Sequence, residues 1–279
     1  MASLTLSFMQ RIIRLTMLAL YVALASCAFR SGNSHATERK NEAANPDARF
    51  WRAVEKADVV YVGETHDDAA HHEYELELVR GLLGRKLKFA IGWEMFDETQ
   101  QSAIDAWASH QISLEELLAK TGFQKRWGIY SPVYEQILRT TNKANIRNVA
   151  LNASDELARK IARGEPLTAE ETAMLPSGFA TDEGGYKNFV AMMGEHPGVN
   201  ETDRRRYCDA QNAWDETMAD RILEFKRRNP KLKLLVFTGR DHVSGGYGIP
   251  FYVSQKADLK QLVLFPKGRL DLGPGQKAI

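Results

Sequence analysis

Short apolar runs alternate with longer stretches of mixed polarity along most of the chain. Residues 58–62, 89–93, 146–151, 232–237 and 261–265 are strand-length and almost continuously apolar, as parallel strands covered on both faces are. Between them, apolar positions recur at helical spacing. Residues 48–57 turn Phe50, Trp51 and Val54 inward, and further helices are predicted over 69–83, 98–109 and 114–120. Pro132 opens another helix in its first turn, where its missing N–H costs little. A long helix over 201–228 carries Trp214, Met218 and Ile222 on one face. Residues 122–130 read as a loop rich in aromatics, with Phe123, Trp127 and Tyr130. Residues 157–193 have no strand signal and are broken by Gly164, Pro166, Pro176 and Gly178, so they read as a helical insert capping the pocket. Strands alternating with helices predict an α/β fold, a three-layer α/β/α arrangement with a mostly parallel central sheet.

The N-terminal pattern differs. Arg11 and Arg14 precede an apolar run over residues 15–25, too short to span a bilayer, which ends in Leu24-Ala25-Ser26-Cys27. This resembles a lipobox, in which Cys27 is lipidated and becomes the mature N-terminus. Ala28, in place of Asp, points to the outer membrane of a Gram-negative bacterium, with the domain facing the periplasm and anchored in lipid through Cys27. The expected organisation is a signal peptide with its lipidated cysteine over 1–27, a polar tether over 28–47, a folded domain over 48–268 and a tail over 269–279.

Composition narrows the function. The 279 residues carry a formal net charge of +1 and no large basic patch, which argues against nucleic acid as a partner. Beyond Cys27 the one cysteine is Cys208, in a predicted helix, where it serves as a small core residue.

The chemistry gathers at strand ends. Val62-Gly63-Glu64-Thr65-His66-Asp67-Asp68 joins the first strand to a helix, the second strand runs into Glu94, and the fourth runs through Thr238-Gly239-Arg240-Asp241 to His242. In an open α/β sheet this edge binds ligands, so Glu64, His66, Glu94 and His242 are expected to converge on one pocket. Any one of them alone is as easily structural: a helix cap, a histidine satisfied by a carbonyl, a carboxylate buried against an arginine. All four at matched strand ends favour a functional site. Two readings stay open. The quartet matches the ligand set of a divalent metal hydrolase, and it equally matches a metal-free site with a histidine base oriented by a glutamate. Of the adjacent His71 and His72, one is expected to face solvent and the other to add to the pocket. Downstream, glycines surround Tyr247, which is a candidate tyrosinate ligand for haem iron or a sheet-edge cap. Trp127, Tyr130 and Tyr134 are candidate walls for a planar ligand.

Taken in order, Val-Gly-Glu-Thr-His-Asp with His71-His72, Glu94-Met95-Phe96, Trp127 to Pro132 with Glu135, Gln211 with Trp214-Asp215, and Gly239/His242 with Gly248-Ile249-Pro250 resemble the ChaN family of haem-binding lipoproteins. That family lies in the superfamily of the Tiki, TraB and erythromycin esterase proteins. The resemblance implies a three-layer α/β fold, ferric haem as ligand, a part in haem and iron uptake at the outer membrane, and a homodimer bridged by haem. It implies a tyrosine on iron, Tyr247 first and Tyr130 second, with basic groups or histidines such as Arg240, His66 and His242 near the propionates. In the esterase and Tiki branches, the positions matching Glu64, His66, Glu94 and His242 form a hydrolytic centre. The alternative function is therefore a hydrolase of esters or peptides, with or without a divalent metal.

Overall fold

The computed structural model describes residues 46–127, 132–193, 198–266 and 269–271. Cys27 and the rest of the lipobox, the expected tether up to residue 45 and Tyr130 lie outside the described residues, and the last two tether positions, 46 and 47, instead open a helix. The chain divides into two units, Met1–Pro46 and Asp47–Ile279, and the sheet belongs to the second.

Helix α1 (Pro46–Lys56) leads into β1 (Val59–Glu64), α2 (Ala69–Gly84) and β2 (Phe89–Asp97). A 3-10 turn (Glu98–Gln100) and α3 (Gln101–Ala108), α4 (Leu114–Lys120), α5 (Phe123–Trp127) and α6 (Pro132–Lys143) precede β3 (Asn148–Asn152). The insert follows as α7 (Asp155–Arg163), α8 (Ala169–Met174) and α9 (Glu183–Met193). Then come α10 (Glu201–Arg228), β4 (Lys233–Gly239), a second 3-10 turn (Arg240–His242), α11 (Ile249–Lys256), β5 (Gln261–Phe265) and β6 (Arg269–Asp271).

Among the described residues the sheet has six strands in the order β3-β2-β4-β1-β5-β6. β1 to β5 pair in parallel, and β6 returns antiparallel to β5, pairing within the stretch expected as a tail. Side chains alternate across the strands and so divide into two cores. Val60, Val62, Ile91, Trp93, Leu235 and Phe237 face one side with Leu76, Val79, Ile137 and Leu138 from α2 and α6. Val59, Tyr61, Leu234 and Val236 face the other with Met218, Ile222 and Phe225 of α10 and Val253 of α11. Helices on both faces make the three layers. They also explain why the strands read as unbroken apolar runs: every residue of β1, β2 and β4 is buried.

Two local expectations change. The aromatic stretch 122–130 contains a short helix, α5, with its Phe123 buried under the sheet edge. β2 does not end before Glu94 but continues to Asp97. The glycine-rich segment after β4 delivers α11, whose start carries Pro250 where no helical N–H is needed. Cys208 is fully buried in α10 as expected, and burial pushes its thiol up to about 12.

Candidate functional site

β1 ends on Glu64, and the turn that follows is closed by the Asp68 N–H donating to the Thr65 carbonyl. Asp68 then caps α2, its side chain accepting the Ala70 N–H at 2.9 Å. This compact turn folds His66 back so that its Nδ1 meets Glu64 Oε1 at 2.7 Å. The pairing of β2 with β4 stops at Trp93 opposite Phe237, so Glu94 stands where the two strands part. One oxygen of Glu94 takes over the lost strand contact. Its Oε2 accepts the Gly239 N–H at 2.6 Å and the Thr238 hydroxyl at 2.7 Å. The other oxygen, Oε1, faces His242 Nε2 at 3.2 Å and His66 Nε2 at 3.6 Å. The four residues singled out by sequence are therefore brought together by the ends of three parallel strands and the turns after them, Glu64 and His66 from β1, Glu94 from β2 and His242 after β4.

The cluster is larger than those four. His242 Nδ1 is hydrogen-bonded to Asp215 Oδ1 on α10 and lies 2.9 Å from Gln211 Nε2. The Tyr134 hydroxyl on α6 donates to Glu64 Oε1 at 2.5 Å. His72 Nε2 lies 3.3 Å from Glu64 Oε2 and its ring leans on Tyr134, 4.3 Å between centroids. Glu75, fully buried on α2, presses against Glu64. The line Glu75, Glu64, His66, Glu94, His242, Asp215 thus runs under the carboxyl edge of the sheet from α2 to α10.

Charge alternates along this line. Burial alone would raise the Glu64 carboxyl, but hydrogen bonds with His66 and His72 hold it down to about 2. Burial opposes charge on His66 as well, yet Glu94 and Glu64 push its imidazole up to about 10. The same contest leaves Glu94 well below the usual carboxylate range, with His242 and His66 against it. It leaves His242 well above the usual imidazole range, with Glu94 and Asp215 against it. Two carboxylates and two imidazoliums neutralise one another in a place where an unpaired charge would be costly. The ends of the line behave differently. Burial, reinforced by the negative Glu64, raises Glu75 far enough to keep it a neutral acid. Burial also raises Asp215 despite its histidine partner. Tyr134 stays a phenol, held up by burial and by Glu64.

His66 is the exit of this line. Its side chain keeps 12% of its exposure, against 0% for Glu64 and 6% for His242. The Trp127 ring lies against it at 4.8 Å, anchored by its indole N–H donating to the Met95 carbonyl at 3.0 Å. The site offers a cationic imidazole beside an aromatic face at its mouth, with a store of protons behind. Among the described residues, no three His, Cys, Asp or Glu side chains are grouped so as to hold a metal ion.

Other expected residues lie apart from this line. Arg240 is exposed, with its guanidinium 4.8 Å over the Phe265 ring. Tyr247 is half-buried, its ring 4.7 Å from Phe251. Its hydroxyl occupies the space left by Gly184 of α9, where a Cβ would come within 2.3 Å. The insert accordingly packs on the glycine loop and on α10, with Asn212 donating to Thr181 at 2.7 Å. The expectation that His71 or His72 faces solvent is corrected, since both are buried. His71 turns back to accept the Thr65 N–H at 2.9 Å and so braces the turn that presents His66. Local pattern alone does not single out Glu75, and it gives Asp215 no role. The signal for each is a carboxylate on an otherwise apolar helix face: Glu75 beside Leu76 and Val79, Asp215 in step with Met218 and Ile222.

The fold has known counterparts. A structure of ChaN of Campylobacter jejuni, described for cofacial haem binding, superposes with a TM-score of 0.59 at 22% identity, covering 78% of this chain and 84% of that one. A mutant of the erythromycin esterase EreC in its open conformation aligns at 14% identity with a TM-score of 0.47, covering 78% of this chain and 72% of that one. Comparison with curated proteins gives no match. The family model described as haem-binding uptake, Tiki superfamily, ChaN, matches residues 50–253, which takes in every member of the buried line, and the chain belongs to that family.

Proposed function

We propose that the domain binds ferric haem and that the chain is a lipoprotein taking part in haem and iron uptake at the outer membrane. The match to the haem-binding family over residues 50–253 carries this reading. The residues present fit the group. A haem needs an apolar face, cations for two propionates and an axial ligand for iron. Trp127 supplies an aromatic face at the mouth, and the imidazolium of His66 together with Arg240 supplies cations for carboxylates. The family resemblance implies a tyrosinate as the iron ligand. His66 and His242 carry protons on the nitrogens a metal would need, and Tyr134 is committed to Glu64. Tyr247 stands outside the network, with its hydroxyl against Gly184 of α9, and is the first choice, with Tyr130 the second. When bound, haem would supply the cargo iron itself, and the protein's part is to hold and shield it. Cofacial haem binding, named for the Campylobacter jejuni protein, extends the reading to a haem-loaded homodimer. Cys27 would tether that dimer to lipid.

Titrating the purified chain with hemin tests this directly. A saturable Soret band at micromolar hemin, lost or shifted in Tyr247→Phe, is the expected result, with sedimentation reporting the dimer. Absence of a saturable band would end the haem reading.

A second reading is favoured by the buried line itself, which haem carriage does not require. Glu64, His66, Glu94 and His242 have the makings of a hydrolytic centre for esters or peptides, in metal-free form, with His66 as the acid that meets substrate and Glu64 as its orienting partner. Turnover of ester or peptide substrates that disappears in both Glu64→Gln and His242→Ala would support it. Turnover unchanged by both would remove it.

A further inference from the structure

Parallel strands all enter a sheet at one edge, so the segments that lead into β1 to β5 lie together on the side opposite His66. The register keeps these entries level. Phe89 pairs with Lys233, Val59 with Leu234 and Gln261, and Ile91 with Asn148. The residues just before the strands are joined by their backbones. The Lys233 N–H donates to the Lys88 carbonyl at 3.3 Å, the Ile91 N–H to the Arg147 carbonyl at 2.9 Å, and the Asp58 N–H to the Lys260 carbonyl at 2.7 Å. At about 4.8 Å between neighbouring strands, the entries form a row roughly 20 Å long.

This row is basic. Arg85, Lys86 and Lys88 lead into β2, and Lys143 and Arg147 into β3, all exposed. Arg227, Arg228 and Lys231 lead into β4, and Lys256 and Lys260 into β5, again all exposed. The acids of the entry segments are Glu55, Asp58 and Asp258. Part of the excess has a local cause. Lys143, Arg227, Arg228 and Lys256 sit in last helical turns, where a cation offsets the helix dipole. Arg228 and Lys256 also pair with Glu224 and Asp220, and Arg85 lies 3.9 Å over the Trp51 ring. Lys226 and Lys233 are buried and donate to the carbonyls of Leu232 and Ala57. Lys86, Lys88, Arg147, Lys231 and Lys260 have no such cause. They lie past the helix ends, exposed, and none makes an ion pair among the described residues. The opposite edge has the reverse sign, with Asp67, Asp68, Glu98, Asp155 and Glu156 in the turns after β1, β2 and β3. The expectation of no large basic patch is thereby corrected. A net charge of +1 hides this row because its members come from distant segments that meet only when the strands align.

We propose that the amino edge of the sheet docks on a bilayer surface of anionic phospholipid. A level row of exposed ammonium and guanidinium groups matches a plane of phosphates, and no cavity is needed to receive it. The inference rests on the lipid-anchored reading above for what brings a bilayer within reach. It also sets the orientation. β1 is six residues long, about 20 Å, so docking by its entry leaves His66 and Trp127 at the far edge, facing solvent and open to an arriving ligand.

Amine acetylation read by mass spectrometry tests this on the full chain, reconstituted in vesicles of phosphatidylcholine alone or mixed with phosphatidylglycerol. Lys86, Lys88, Lys231 and Lys260 should label several-fold more slowly with phosphatidylglycerol. Lys187, exposed on α9 of the insert, should label alike in both. About 1 M salt, which shortens the screening length to about 3 Å, should erase the difference. Each basic residue near an anionic surface is worth roughly fivefold in partition, so Lys88→Glu, Arg147→Glu and Lys231→Glu combined should weaken docking a hundredfold or so and release Lys86 and Lys260. The same triple variant should keep its melting temperature, since the three side chains are exposed. Equal labelling of the row in the two kinds of vesicle would overturn the proposal, as would slowing that extends equally to Lys187. Protection by duplex DNA as strong as by phosphatidylglycerol at the same salt would overturn the membrane as partner. Hemin titration of the same protein reads the haem reading separately: protected lysines without a Soret band would support this face and end only haem binding.

Discussion

His66 and His242 aim their Nε2 atoms at the same oxygen of Glu94, from 3.6 Å and 3.2 Å. The two imidazoles come from turns after different strands, and one carboxylate is the shared counter-ion that lets both stay protonated. Glu94→Gln keeps the shape and removes that charge. Both histidines should then titrate at lower pH by NMR, and the protein should lose about 3–5 kcal/mol in urea unfolding, the usual cost of breaking a buried pair. Histidine titrations unchanged in this variant would show that the cations are held by something other than Glu94.

Glu75 and Glu64 are neighbouring glutamates with opposite states, and their amides should behave differently. Glu75 is kept neutral by burial and by Glu64, so Glu75→Gln replaces one uncharged group with another of the same shape. Its cost at neutral pH should stay within about 1 kcal/mol. Glu64 accepts from Tyr134 and bears the charge opposite His66 and His72. Glu64→Gln should cost about 3–5 kcal/mol under the same conditions. Urea unfolding of the two variants at one pH separates them, and equal losses would refute the assigned protonation states.

The line also sets the pH at which the fold is most stable. The Glu64 carboxyl is lowered from 4.5 to about 2, and Glu94 is lowered too, so the stabilisation they give is present above about pH 4.5 and fades as pH falls toward 2. His66 is raised from 6.5 to about 10, and His242 is raised with it, so their contribution is full below pH 6.5 and is lost as pH climbs toward 10. Glu75 and Asp215 are raised carboxyls, and they add to the loss on the alkaline side once pH passes their ordinary values. The melting temperature should therefore peak at mildly acidic pH, roughly between 4.5 and 6.5, and decline on both sides. A curve flat from pH 5 to 9 would contradict the protonated state of the two histidines.

Much of this architecture is legible in sequence because the strands are buried on both faces. Val59 to Val62 and Leu234 to Phe237 can sit nowhere else, and once they are parallel neighbours the residues following them must meet. Hence Glu64, His66, Glu94 and His242 converge as expected. The rest depends on long-range pairing that local pattern does not encode. Tyr134 reaches Glu64 across 70 positions, and Asp215 reaches His242 across 27. Nothing near Tyr134 distinguishes a hydrogen-bonded phenol from a core aromatic. α5 was hidden for a different reason: five residues rich in aromatics have no periodicity long enough to separate a helical turn from a loop.

Gly248 fixes where the turn carrying His242 ends. Its φ is 85°, a conformation other residues rarely adopt, and a Cβ there would come within 2.2 Å of the His242 carbonyl oxygen. Two other glycines separate these effects. Gly178 has φ of 79° with nothing within 4 Å of a built Cβ, so Gly178→Ala meets backbone strain alone. Gly84, the last residue of α2, has neither strain nor a neighbour within 4 Å. Gly84→Ala should therefore stabilise the protein by about 0.4–1 kcal/mol by restricting the unfolded chain. Gly178→Ala should cost roughly 1 kcal/mol. Gly248→Ala should cost several-fold more than Gly178→Ala, because the backbone of His242 must also move, and it should lower the pH at which His242 titrates as that ring leaves Glu94 and Asp215. Urea unfolding with histidine NMR on the three variants measures both effects, and a Gly248→Ala protein with an unshifted His242 titration would break the link between this turn and the buried line.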